Sequence, residues 1–170
     1  MAVTHYLLRP VNPYFIAFSL FLGLLFNLLP WGGSSWAPDL LSLILIFWSL
    51  HQPQKVGLGV AFFCGLLMDV HNGALLGEQA LGYTFLSYFS ATIHRRVLGM
   101  ASFGPIVHVF LLLMAMKLLL LCLHAFLGAR YPGWTYFMPV LVGSALWPLI
   151  SALLLMPQRR PDHVDTNRPI

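Results

Sequence analysis

Six stretches of this chain, 14–29, 38–50, 56–70, 76–93, 104–127 and 136–156, are almost continuously apolar, and only Asp39, Asp69, Glu78 and Lys117 bring formal charge into them. A soluble fold cannot hide so much apolar surface, because small domains leave much of their surface exposed. Hydrophobic residues make up 59% of the chain and charged residues 8%, against about 25% charged in an ordinary soluble domain. Lipid must supply the missing cover. The runs do not alternate with period two, so each is read as a helix that satisfies its own backbone, not as a barrel strand. The sequence therefore predicts an all-α membrane protein. It is a bundle of about six transmembrane helices within residues 1–160, followed by a polar cytoplasmic tail over 161–170. The run 38–50 is only 13 residues long, against about 20 for a full span, so a thin or partial crossing is expected there.

The breaks between runs fix the orientation. Pro30 and the glycine-rich WGGSSWA end the first run, with Trp31 and Trp36 at interfacial positions. Arg9, Lys55, Arg95, Arg96, Arg159, Arg160 and Arg168 all fall on one side of a six-span chain, and the opposite loops hold only Arg130. Basic loops stay in the cytoplasm, so both termini are expected there. Without a crossing at 38–50, Arg9 and Lys55 would lie on opposite sides. The first 13 residues lack a signal-peptide cleavage pattern, so the first run is expected to stay attached.

Several function classes lack support. The formal charge is +4, but the basic residues are scattered singly or in pairs, with no face for nucleic acid. Cys64 and Cys122 sit inside apolar runs, where small buried thiols are expected rather than a disulfide or metal site. No nucleophile elbow, phosphate loop, dinucleotide fingerprint or zinc-ligand spacing is present. No cofactor is expected, and no enzyme.

The residues that carry information are the polar and small ones inside the runs. Asp39 follows Pro38 at the start of a run, where a carboxylate complements a helix N-terminus; partner binding is the alternative. Asp69 is an intramembrane carboxylate, a costly group that marks a pairing or functional role. Gly57, Ala61, Gly65 and Asp69 recur every four residues and put small side chains on one helix face. Such a face lets another helix come close, either within the chain or from a partner. Ser19, Gly23 and Asn27 form a similar stripe, and Asn27 can hydrogen-bond across helices. Lys117 lies in the middle of the fifth run and has to snorkel, pair or face a cavity. Asp69 and Lys117 each lie 13 residues into their runs, about 20 Å along a helix, so they are expected at similar depth and in reach of each other. The alternative sends Lys117 to the interface and Asp69 to backbone amides of the following turn. Pro148 removes one helical hydrogen bond from the last span and predicts a kink.

Two stretches carry a resemblance. WAPDLLSLILIFWSLHQPQKVGLGVAFFCGLLMDVHNGALLGEQALGYTFLSYFSATIHRR and the later GSALWPLISALLLMPQRR are similar to the rod shape-determining protein MreD family. The first looks like the family's central signature: a proline and polar residue opening span two, a short loop with proline and a basic residue, and a glycine-rich span three ending in Asp. A turn with Gly73, Gly77, Ala80 and Leu81 follows. The fifth run matches poorly, so Lys117 inherits no role. The resemblance implies an inner-membrane component of the bacterial cell-elongation machinery. Its partners would be the bitopic protein MreC and, indirectly, the actin-like MreB and the glycosyltransferase–transpeptidase pair that builds the lateral wall. It also implies a fold similar to the substrate-binding subunits of energy-coupling-factor vitamin transporters.

Three functions compete. A non-enzymatic membrane scaffold is favoured. A small-molecule-binding or transport subunit is suggested by the fold analogy, but fold alone does not carry function, and the few polar residues in the spans offer little to hold a polar vitamin. An intramembrane enzyme lacks a motif.

Overall fold

The computed structural model describes residues 12–29, 37–73, 75–98, 104–128 and 133–158. Trp31, Trp36, Arg9, Arg130, Arg159, Arg160 and the polar tail lie outside the described residues. Among the described residues the chain is all helical. The elements are α1 (Pro13–Leu28), α2 (Leu40–His51), α3 (Leu58–Asn72), α4 (Glu78–Leu98), α5 (Gly104–Phe126) and α6 (Met138–Leu155). Each apolar run of the sequence corresponds to one of these helices. Single-turn 3₁₀ segments, Trp134–Phe137 and Met156–Gln158, flank α6. The helix runs on through Pro148.

Cross-helix pairs give the directions. Asn27 meets Asp39 and Ser19 meets Trp48, so α1 and α2 are antiparallel. Glu78 meets His124 and Gly82 meets Met116, so α4 and α5 are antiparallel. Leu43 lies over Gly143 and Phe47 faces Trp147, so α2 and α6 run the same way. The connections α1–α2, α3–α4 and α5–α6 therefore share one end of the bundle.

α2 is the axis of the fold. Its 12 residues span about 18 Å at ~1.5 Å per residue, well short of a ~30 Å hydrocarbon core. Its position is central. Leu41, Leu43, Leu45, Ile46, Phe47 and Trp48 are all completely buried, on every face of the helix, because α1, α4 and α6 pack around it. It meets protein where a peripheral helix would meet lipid.

The distribution of polarity is the reverse of a soluble domain's. Ser42, Ser49, Asp69, Ser87 and Ser90 are buried, whereas Phe18, Phe21, Phe62, Phe63, Leu111, Leu149 and Leu153 are exposed. Isolated exposed apolar residues are ordinary, but a continuous apolar exterior over polar interior contacts needs a lipid solvent. Two segments, Gly104–Phe126 and Trp134–Leu155, are long and apolar enough to cross a membrane, and α1, α2 and α3 are shorter apolar helices. Inside, short polar bonds tie the helices together. Trp48 Nε1 donates to Ser19 Oγ at 2.8 Å, linking α2 to α1. Ser49 and Ser87 hydroxyls lie 3.0 Å apart, linking α2 to α4.

Candidate functional site

The polar side chains collect at the end where α1–α2, α3–α4 and α5–α6 connect. Asp39 is the first centre. It caps α2: its Oδ1 accepts from the Ser42 amide at 3.0 Å, one of the orphan N–H groups of a helix start. The same oxygen accepts from Asn27 Nδ2 of α1 at 2.6 Å, and Oδ2 accepts from the Tyr83 hydroxyl of α4 at 2.9 Å. Asn27 returns a bond by accepting from the Leu40 amide at 3.2 Å. One carboxylate thus joins three helices, and the helix-capping role expected from sequence is only part of what it does.

Asp69 is the second centre. It is fully buried. Its Oδ1 accepts from the Gln79 amide at 2.7 Å, and its Oδ2 from the amides of Gly77 at 2.9 Å and Ala80 at 3.3 Å. Gln79 and Ala80 lie in the first turn of α4 and Gly77 just precedes it, so the carboxylate satisfies an otherwise orphaned helix start and complements its dipole. The local sequence folds to make this possible. Gly73 ends α3 in the left-handed region at φ 59°, and Gly77 turns the chain back at φ 102°; both conformations favour glycine. Gly65 then lets α4 lie directly on α3, since a Cβ there would overlap the backbone of Gln79 and Ala80.

The expected pairing of Asp69 with Lys117 does not form. Three amides hold the carboxylate, and Lys117 points elsewhere: its ammonium sits 4.7 Å from the centre of the Tyr136 ring. This is a cation–π arrangement. Glu78 is taken by His124, at 3.3 Å from Nε2 to Oε1. Lys117 also lines a partly open cavity of about 180 Å³, together with Asn27, Asp39, Asn72, Gln79 and Tyr83 among others.

Both small-residue stripes are used inside the chain. Gly23 lies against Leu41 and Ile44 of α2, between Ser19 and Asn27, which also bond to α2 or its cap. Ala61 is fully buried and Gly65 lies on α4. The reading of these faces as partner surfaces gives way to internal packing, because the neighbouring helix already occupies the space that the missing side chains leave. Gly57 precedes α3 in open space, and Pro148 lies on α6, outside the cavity lining. Tyr83, Glu78, His124, Asn72 and Tyr136 were not picked out as site residues by sequence. One signal was present: Asn72 is three residues past Asp69 and Tyr83 four past Gln79, spacings that put each pair on one helix face. Nothing in the sequence marks the pairing of Glu78 with His124.

The profile of the rod shape-determining protein MreD family matches residues 8–156. A curated relative, the rod shape-determining protein MreD of Haemophilus influenzae, is 26% identical over 155 residues, covering 89% of this chain and 96% of its own length. No solved structure matches the chain. The family match takes in all six helices and every residue of the two carboxylate centres, so this chain belongs to the rod shape-determining MreD family.

Proposed function

We propose that this protein is a non-enzymatic inner-membrane scaffold of the cell-elongation machinery, binding an MreC-like bitopic partner and, through it, wall-synthesis proteins. The observation that carries the reading is the family match over residues 8–156. The chain's own physics supports it. The described residues form helices joined by short connections, with no separate soluble domain among them, so partner contact has to be made largely within the membrane. The inward small-residue faces are already filled, which leaves the outward faces of the helices, rich in Phe and Leu, for association by close packing in lipid. Depletion from a rod-shaped host tests the reading: cells should round up, and the bitopic partner should co-purify with the re-expressed protein.

Six membrane crossings with both termini in the cytoplasm are part of the proposal. The basic residues favour it, and so does the shared end of the α1–α2, α3–α4 and α5–α6 connections, which then faces the periplasm. Single cysteines at Asn72 and Gln54, both exposed, in a chain with Cys64 and Cys122 replaced by serine, separate the two sides. An impermeant thiol reagent should reach position 72 and not position 54 in intact cells. Labelling at 54 from outside would reverse the orientation.

A further inference from the structure

An open groove of about 570 Å³ runs along the outside of α4, between α3 and α5. Leu58 and Phe62 of α3, Phe85, Tyr88 and Phe89 of α4, and Leu119 of α5 form much of its lining. Only two of the lining side chains carry a polar atom. The Thr84 hydroxyl donates to the Ala80 carbonyl at 2.6 Å and is satisfied. The Tyr88 hydroxyl makes no hydrogen bond among the described residues, and Tyr88 is 54% exposed. Its depth is unusual. Tyrosines of membrane proteins collect at the two interfaces, where the hydroxyl reaches water or headgroups. Tyr88 is the middle residue of the 21-residue α4, about 15 Å from either end. With six crossings this phenol opens sideways into the hydrocarbon, where an unsatisfied polar group is costly.

We propose that this groove seats one membrane-spanning helix of the partner protein, with apolar side chains entering between the aromatic rings and a hydrogen-bond acceptor at mid-depth facing Tyr88. The inference rests on the scaffold reading and names the surface that the partner uses. Lipid tails are as apolar as leucine, so apolar surface alone draws nothing to the groove. Close packing and a hydrogen bond do. An acyl chain has no acceptor for the phenol, whereas a helix side chain supplies one. The shortness of α3 is a second, independent reason. Its 15 residues span about 22 Å, against a hydrocarbon core of ~30 Å. Protein encloses the equally short α2, but α3 turns Phe63, Leu67 and Val70 outward. A short span that faces lipid carries a mismatch cost, and association with another helix relieves it.

The test uses the full chain and its bitopic partner in lipid vesicles. A photoreactive phenylalanine analogue replaces Phe62 or Leu81 in the groove, or Leu149 on α6 as control; all three positions are exposed. Light should join the partner's membrane helix to positions 62 and 81 and not to 149. Tyr88→Phe removes only the hydroxyl. It should leave the unfolding midpoint of the isolated chain unchanged, because the hydroxyl has no partner there. It should raise the half-saturating partner concentration about threefold, the worth of one hydrogen bond between membrane helices. Leu81→Trp, which fills the groove, should raise it roughly tenfold or more. The groove is overturned, and the scaffold reading stands, if the two proteins associate but light joins positions 62 and 81 to lipid or to a second copy of this chain. Partner labelled from 149 alone, or an affinity unchanged in Tyr88→Phe and Leu81→Trp alike, overturns it in the same way. No association of the wild-type chain with the partner would remove the scaffold reading, and the groove with it.

Discussion

Asp69→Ala should lose about 3 kcal/mol or more of stability, enough to separate the α3–α4 hairpin. The carboxylate is fully buried and accepts from the amides of Gly77, Gln79 and Ala80. Removing it leaves those donors without an acceptor at a helix start, and each buried unsatisfied group costs about 1–3 kcal/mol. Water entering at the bundle end recovers part of this, which is why the expected loss lies near the lower end of the sum. Asp69→Asn keeps one acceptor oxygen and the shape of the side chain, so it should fall between Ala and wild type. The unfolding midpoint of the purified chain and the protease sensitivity of the 73–77 turn measure the effect. A wild-type midpoint in Asp69→Ala would show that the three amides find other partners.

Gly65→Ala should be as damaging, although alanine is the better helix former by about 0.8–1.0 kcal/mol. The position decides the sign. A Cβ at Gly65 would overlap the backbone of Gln79 and Ala80, and backbone cannot swing away as a side-chain tip can. The helices have to move apart, which strains the amides that Asp69 holds. Ordinary overpacking costs about 1–3 kcal/mol, and the expected net loss is at or above that range. Gly57→Ala is the internal control. It lies on the same four-residue repeat but has open space around it and a φ of −77°. It should change stability by no more than about 0.5 kcal/mol. Comparable unfolding midpoints for the two variants would mean that the repeat, not the close approach to α4, sets the role of Gly65.

The helices were legible because a helix surrounded by lipid or by an apolar core is apolar along its length, and this chain has six such runs. The shortness of 38–50 was legible too, but not its cause. Burial of α2 on every face depends on α1, α4 and α6 packing around it, and a hydrophobic run reads alike whether lipid or protein surrounds it. Of the stripes at Ser19–Gly23–Asn27 and Gly57–Ala61–Gly65, Gly23 and Gly65 lie at close helix approaches, whereas Gly57 has open space around it. They could not say which helix approaches, and the answer is the chain's own α2 and α4. For Asp69 the two open readings were a lysine or nearby amides. The amides hold it because the turn at Gly73 and Gly77 folds the start of α4 back onto a side chain near the end of α3. The Asp39–Tyr83 bond joins residues 44 apart, and no local spacing encodes it. The polar residues looked too few and too scattered to form a site; the fold brings six of them to one cavity.

Cell shape after depletion is the most direct test of the scaffold reading. In a rod-shaped host with its own copy of this protein depleted, cells should lose their length-to-width ratio within a few generations. Wild-type protein should restore rods without any added nutrient, and an Asp69→Ala chain that still inserts should not. Cells that stay rod-shaped without the protein, and fail instead to take up a small solute, would contradict the scaffold and favour a transport subunit.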